Sequence, residues 1–332
     1  MGEMRFVTKK GLWRVLVALL LLGAGAWYMS YRPGKGKQVM TPPNISAEQL
    51  RAHVTKLAGE IGERNTELPA KLHAAADYIE QIWRSQGYRV CRQRYTAGGV
   101  ECCNLEVQIN GMDEPGPVIL VGAHYDSVAG SPGANDNASG VAAMLEMSRV
   151  FAKLSSKRAV RFVAFVNEEP PYFETELQGS AVYARAARQR GDDIRTMISL
   201  ETMGCFSDAP GSQRFPVPLF KLIYPTRGNY IAFVSNFGSR GVMHEGVRAF
   251  RAHTDFPVEC CATFANIPGV GWSDHAPFWR EGYRAFMVTD TAPFRYPHYH
   301  TEQDTPDKIN YESLGRVTQG LCGALATLSE TN

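Results

Sequence analysis

The sequence predicts an α/β protein, a three-layer α/β/α sandwich built around a mixed, mostly parallel sheet. Short, continuously apolar runs such as residues 118–122 and 160–166 have the pattern of strands buried on both faces. These runs alternate with helix-patterned stretches, the order that builds parallel crossovers. The composition agrees: 44% apolar and 20% charged residues over 332 positions suit one large body with an N-terminal appendage.

The elements follow in order. Ser46 caps a helix with Gln49 at its third position, and Leu50, Val54, Leu57 and Ile61 recur at helical spacing. Pro69 starts a second helix, with Leu72, Ala76, Ile79 and Ile82 on one face and a stop at Gly87. Strands are expected at 88–95 and 104–109, then at 118–122, 160–166, 196–200, 230–234 and 285–289. Helices are expected at 138–154, 180–188 and 311–328, with a further one starting near Pro277.

Residues 1–43 differ from the body at 44–332. Arg5, Lys9, Lys10 and Arg14 precede an apolar run over 15–29, with Trp13, Trp27 and Tyr28 near its ends. This reads as a membrane anchor, and Ala24-Gly25-Ala26 leaves a cleaved signal as the alternative. Either one exports the body to the periplasmic or extracellular side. Residues 32–43, rich in Gly, Pro and Lys, read as a linker. A net charge of +2 without a basic stripe excludes a nucleic-acid partner. The seven cysteines have no C-x-x-C spacing, so a zinc knuckle is not expected. Cys91 and Cys102 or Cys103 lie on successive strands and are candidates to pair, with buried free thiols as the alternative.

In open α/β sheets ligands bind beyond the carboxyl ends of the strands, and here each apolar strand runs into metal-competent residues. The strand at 118–122 leads to His124 and Asp126, and that at 160–166 to Glu168 and Glu169. The strand at 196–200 leads to Glu201, and 285–289 to Asp290, then His298, Tyr299 and His300. Asp136 precedes the helix at 138–154 and sits at the same edge. Imidazoles and carboxylates without thiolate are ligands for zinc, and five of them suit two ions sharing a bridging carboxylate. One of Glu168 and Glu169 is then free to act as a base. Asp126, two residues after His124, is placed to accept the second imidazole N–H and fix the tautomer. Asp274 and His275 either steady the site or cap the helix near Pro277. Tyr172, Phe173 and Phe206 are candidates for a substrate pocket or for ordinary core packing.

Taken together, the segments H124-Y-D-S, G133-A-N-D-N-A-S-G, N167-E-E-P-P, S199-L-E-T-M-G, S273-D-H and H298-Y-H-T, with D304-T-P-D-K, resemble the zinc aminopeptidases of peptidase family M28. They occur in the family's order and span about residues 57–314. The resemblance implies two Zn2+ per chain, with Asp136 bridging, His124 and Glu201 completing one site, and Glu169 and His300 the other. It makes Glu168 the general base, with Asp126 beside it in the catalytic set, and peptides with a free N-terminus the substrates. It also implies a cis peptide after Asp136. Many members carry Asp where this chain has Glu201, so the longer side chain is expected to change reach while keeping charge. Two other readings share the fold: a single-zinc glutaminyl cyclase and a binding ectodomain without catalysis.

Overall fold

The computed structural model describes residues 9–41, 43–112 and 116–330, and Arg5 of the expected basic cluster lies outside them. The strands are Cys91–Ala97 (β1), Val100–Ile109 (β2), Val118–His124 (β3), Val160–Phe165 (β4), Ile194–Glu201 (β5), Ile231–Asn236 (β6), Val258–Thr263 (β7) and Ala285–Thr289 (β8). They form one eight-stranded sheet in the order β1-β2-β4-β3-β5-β8-β6-β7. The centre from β4 to β8 is parallel, while β1, β2 and β6 introduce antiparallel pairs. The mixed, three-layer α/β fold predicted from the sequence is therefore present.

The helices are Lys9–Ser30 (α1), Ala47–Val54 (α2), Pro69–Ser85 (α3), Gly140–Phe151 (α4), Gly179–Arg190 (α5), Arg240–His253 (α6), His275–Arg280 (α7), Ala292–Arg295 (α8) and Tyr311–Glu330 (α9). Alternation along β3 divides the layers. Ile119, Val121 and Ala123 join the core beneath α2, α3, α4, α6 and α9. Leu120 points the other way, into a smaller cluster with Tyr183 and Ala187 of α5 and Phe278 of α7. Burial on both faces is why this strand reads as an unbroken apolar run.

Differences from expectation have physical causes. The helix predicted at 138–154 starts at Gly140, because Ala134–Ser139 forms a wider turn in which Asp136 and Asn137 leave helical geometry. Neither α6 nor β7 was expected. In α6, Val242, Met243, Val247 and Phe250 do recur at helical spacing, so this helix was readable, whereas β7 carries Glu259 within a short run. Pairing of Cys91 with Cys102 or Cys103 does not form. The β1–β2 register sets Cys91 opposite Glu106, while Cys102 and Cys103 face Tyr95 and Arg94, and all seven cysteines are free thiols.

The stretch read as a linker is docked instead. Gly36 N–H donates to the Arg248 carbonyl at 3.0 Å, Val39 N–H reaches His253 Nε2 at 3.2 Å, and Arg32 pairs with Glu259 on β7 at 2.6 Å. The membrane-spanning expectation is not supported: among the described residues no helix is long and apolar enough to cross a membrane. Helix α1 exposes Leu16, Leu19, Leu20, Leu21 and Leu22, and its last turn leans on the body, with the Arg240 guanidinium 3.8 Å from the Tyr28 ring centre.

His275, at the start of α7, is fully buried, with Nε2 2.8 Å from the Val270 carbonyl and its ring edge-on to Trp279. Burial pushes its pKa down to about 4, although the bond to Val270 opposes this. The unfolded chain takes up this proton near 6.5, so stability is complete above that pH and falls as the pH drops toward 4. Urea unfolding at pH 7 and pH 5 should show that His275→Asn escapes about 2 kcal/mol of the wild-type loss. Equal losses in both proteins would exclude His275 as the cause.

Candidate metal centre

The ends of β3, β4 and β5 open onto one rim, and the chain leaves that rim through unusual backbone. Asn167, Thr202, Thr291 and His300 all have positive φ, at 60°, 45°, 65° and 57°. Such conformations cost of order 1–3 kcal/mol for non-glycine residues and persist where surrounding contacts enforce them. They immediately precede Glu168, follow Glu201 and Asp290, or carry a candidate ligand. The loop bearing Asp136 turns at Gly133, where φ is +63° and an added Cβ would strike the Asp136 carbonyl and Ser127, so only glycine fits. The peptide bond between Asp136 and Asn137 is cis, as the resemblance implied.

Two donor clusters meet at Asp136. His124 Nε2 lies 3.3 Å from Asp136 Oδ1 and 3.3 Å from Glu201 Oε2. His300 Nε2 lies 3.0 Å from Asp136 Oδ2 and 3.4 Å from Glu169 Oε2. Within each trio the ligand atoms all fall within 4.8 Å of one another. All five residues expected to hold metal are thus brought together, and the two oxygens of Asp136 are divided between the trios. Glu168 belongs to neither trio and approaches from the side, with Oε2 3.9 Å from His124 Nε2.

A metal fits this donor set on independent grounds. His124 Nε2 and Glu169 Oε1 are buried without a hydrogen-bond partner. Burial raises the carboxyl pKa of Glu168 well above its usual range, that of Glu169 to about 7 and that of Glu201 upward. Burial would lower His124, but Glu201 and Glu168 outweigh it and raise the imidazole well above its ordinary value. Arg64 is the fully buried guanidinium facing this cluster, and burial lowers even its pKa to about 10. It is engaged by the carbonyls of Tyr125, Pro132 and Gly133. So much buried negative charge is stable only with added cations.

The surrounding residues hold the ligands in place. Asp126 Oδ1 stands 3.5 Å from His124 Nδ1, and its two oxygens accept the N–H groups of Glu168 and Glu169 at 3.2 and 3.1 Å. It lies beside the imidazole, whose Nδ1 makes no hydrogen bond, and it fixes the loop that carries both glutamates. Asp304 accepts the N–H groups of Asn135 and Asp136 at 2.8 and 3.0 Å and so clamps the bridging residue. Ser273 donates to Glu201 Oε2 at 2.7 Å, anchoring the longer side chain at that position. Asp290 is outside both trios; it accepts from Asn135 and the Cys205 N–H. Asp274 is fully buried behind the site, and it makes no capping bond to α7. His298 packs edge-on against Tyr296, away from the trios.

Sequence reasoning missed Arg64, and it placed Ser273 in a motif without a role. An arginine in a polar loop carries no sign of burial, and a serine two residues before a histidine carries none of a ligand contact. Of the two readings of Tyr172 and Phe206, core packing is the one the structure shows. Phe206 packs on Phe256 and Tyr172 against the main core, whereas the cleft beside Glu201 and Tyr299 is walled by residues from 213–234 and 259–299.

A sheet of this topology with two imidazole–carboxylate trios at its strand ends defines a metal-dependent hydrolase. Residues 104–325 match peptidase family M28, and the chain belongs to that family, which bears out the M28-type zinc metallopeptidase expected from its motifs. It is 35% identical over 299 residues to the uncharacterized protein YfbL of Escherichia coli K12, covering 88% of this chain and 91% of that one. Aminopeptidase YwaD of Bacillus subtilis is 56% identical over 207 residues, covering 59% of this chain and 38% of that protein. Among solved structures, BSAP, a zinc aminopeptidase from Bacillus subtilis, superposes with a TM-score of 0.69 at 16% identity, over 88% of this chain and 97% of that one. A glutaminyl cyclase from Fimbriiglobus ruber superposes at 0.64 and 19% identity, over 89% and 99% of the two chains. At such identities the superpositions establish the fold alone.

Replacing Asp304 with Asn should weaken the clamp on Asp136 and lower metal affinity about 10–100-fold. Competition against a chromogenic chelator measures this, and unchanged affinity would show that Asp304 does not position the bridge.

Proposed function

We propose that this chain is a two-zinc aminopeptidase that removes N-terminal residues from peptides. The observation that carries the proposal is the division of Asp136 between two trios, each with its own imidazole and its own second carboxylate. His124, Asp136 and Glu201 would hold one ion, and Asp136, Glu169 and His300 the other. When bound, the ions lower the pKa of water and polarise the scissile carbonyl.

The remaining steps belong to the chain's own residues. Glu168 is buried and free of both trios, so it accepts the proton of the attacking water and returns it to the leaving amine. Asp126 holds the Glu168 backbone in register for that transfer. His300, whose side chain is 32% exposed where His124 is fully buried, marks the side from which substrate enters. A peptide's free ammonium is matched by the surplus of carboxylates at this entrance.

We further propose that the catalytic domain is exported and that α1, with its exposed leucines, associates with a membrane. Fractionation of the full chain, with mass analysis of its N-terminus, tests this. Recovery in the cytosolic fraction would refute it.

Glu168→Gln should retain two zinc ions per chain by elemental analysis while turnover of aminoacyl anilides falls about 10²–10⁴-fold. Full activity in that variant would remove Glu168 from the chemistry. One ion per chain in the wild type, with cyclisation of N-terminal glutamine, would support the cyclase reading in its place.

A further inference from the structure

A cleft with a cavity volume of about 100 Å³ leads away from the metal centre across the sheet face formed by β6, β7 and β8. It starts at Glu201 and Tyr299, and Phe215, Tyr224, Tyr230, Trp272 and Phe294 supply aromatic walls. Strand register explains its direction. Glu201 pairs with Thr289, Thr289 with Ala232, and Ala232 with Glu259, and side chains of directly paired residues share a face. This row crosses the sheet to its edge, so the Glu259 backbone stands three strand spacings, about 14 Å, from that of Glu201.

A carboxylate on the wall of an aromatic cleft is costly unless a cation meets it. Glu259 is only 6% exposed, and burial raises its pKa to about 7 against the pull of Arg32 and Arg251. Its partner in the chain is Arg32, whose Nη1 binds Oε1 at 2.6 Å from the docked N-terminal segment. The Arg32 side chain remains 51% exposed. Among the described residues no hydrogen-bond donor reaches Oε2. Arg214, the basic residue on the cleft wall, is exposed.

We infer that Glu259 determines the specificity of this cleft, selecting peptides whose N-terminal residue is lysine or arginine. The inference rests on the aminopeptidase reading and names its substrate class. A long aliphatic stem lies between aromatic faces, which also attract a cation, and the terminal charge reaches the carboxylate. Leucine or phenylalanine would fill the same walls but leave Glu259 Oε2 without a charged partner. Arg32 already demonstrates that this carboxylate accepts a guanidinium. Arg32 is not among the residues lining the cleft; through Oε1 it competes for the same carboxylate, and the N-terminal segment thereby tunes selectivity.

The test compares kcat/KM for Lys-, Arg-, Leu- and Phe-anilides in the full-length zinc-loaded protein at pH 8. Glu259→Gln should lower the Lys:Leu and Arg:Leu ratios about tenfold or more, with Leu and Phe turnover kept within about threefold. Arg32→Ala, at an exposed position, should raise the same ratios about threefold or more by removing the competitor. Unchanged ratios in either variant, or an equal fall for every substrate in Glu259→Gln, would overturn the assignment. If Glu259→Gln does not fold, Arg32→Ala decides alone. Release of no N-terminal residue by the wild type would instead refute the aminopeptidase reading itself.

Discussion

Asp136 is the carboxylate on which the rest of the site depends. Its two oxygens face different imidazoles, 3.3 and 3.0 Å away, and neither trio is complete without it. Holding one small side chain in that position requires the glycine turn at Gly133, the clamp from Asp304, and the Asn135 and Asn137 amides that tie the loop to Gly204 and Leu200. The loop is therefore built almost entirely from backbone bonded to buried polar side chains, which is unusual outside a binding site.

Electrostatics sets the second constraint. Asp126, Asp136, Glu168, Glu169, Glu201, Asp274, Asp290 and Asp304 are all buried on one rim, and Arg64 with two imidazoles answers them from the protein side. Without further cations, burial drives several of these carboxyl groups toward their protonated forms. Divalent ions reverse that balance and make folding, metal binding and activity parts of one equilibrium. The same surplus suits a substrate that enters with a positive N-terminus.

The N-terminal segment belongs to this picture rather than standing apart from it. Its path along α6 and the edge strand β7 supplies a hydrogen bond to Arg248 and an ion pair to Glu259, and so covers an edge otherwise open to pairing. The same docking brings the Arg32 guanidinium to Glu259, a residue on the wall of the cleft that starts at Glu201. One residue of β7, Glu259, thus meets the docked segment through Arg32 and also stands on the row of paired residues that leads to Glu201.

Much of this was legible before any coordinates. Apolar strands followed at once by His124, Glu169 and Glu201 point to candidate ligands, with Glu168 beside them, because a strand ending at a shared rim leaves little freedom in where its next residues go. The alternation of strands and helices likewise determined the sandwich, since only helices on both faces bury such strands. What the sequence left open depends on register and on long-range packing. Cys91 misses Cys102 and Cys103 because of the β1–β2 pairing, and the residues of 32–43 dock because α6 and β7 present partners far along the chain. Arg64, Ser273 and Glu259 became functional candidates only through burial and cross-strand alignment, which no local pattern encodes. The candidate ligands His124, Glu169 and Glu201 were thus determined by position at strand ends, whereas the groups that hold them and shape the cleft were decided by contacts between distant segments.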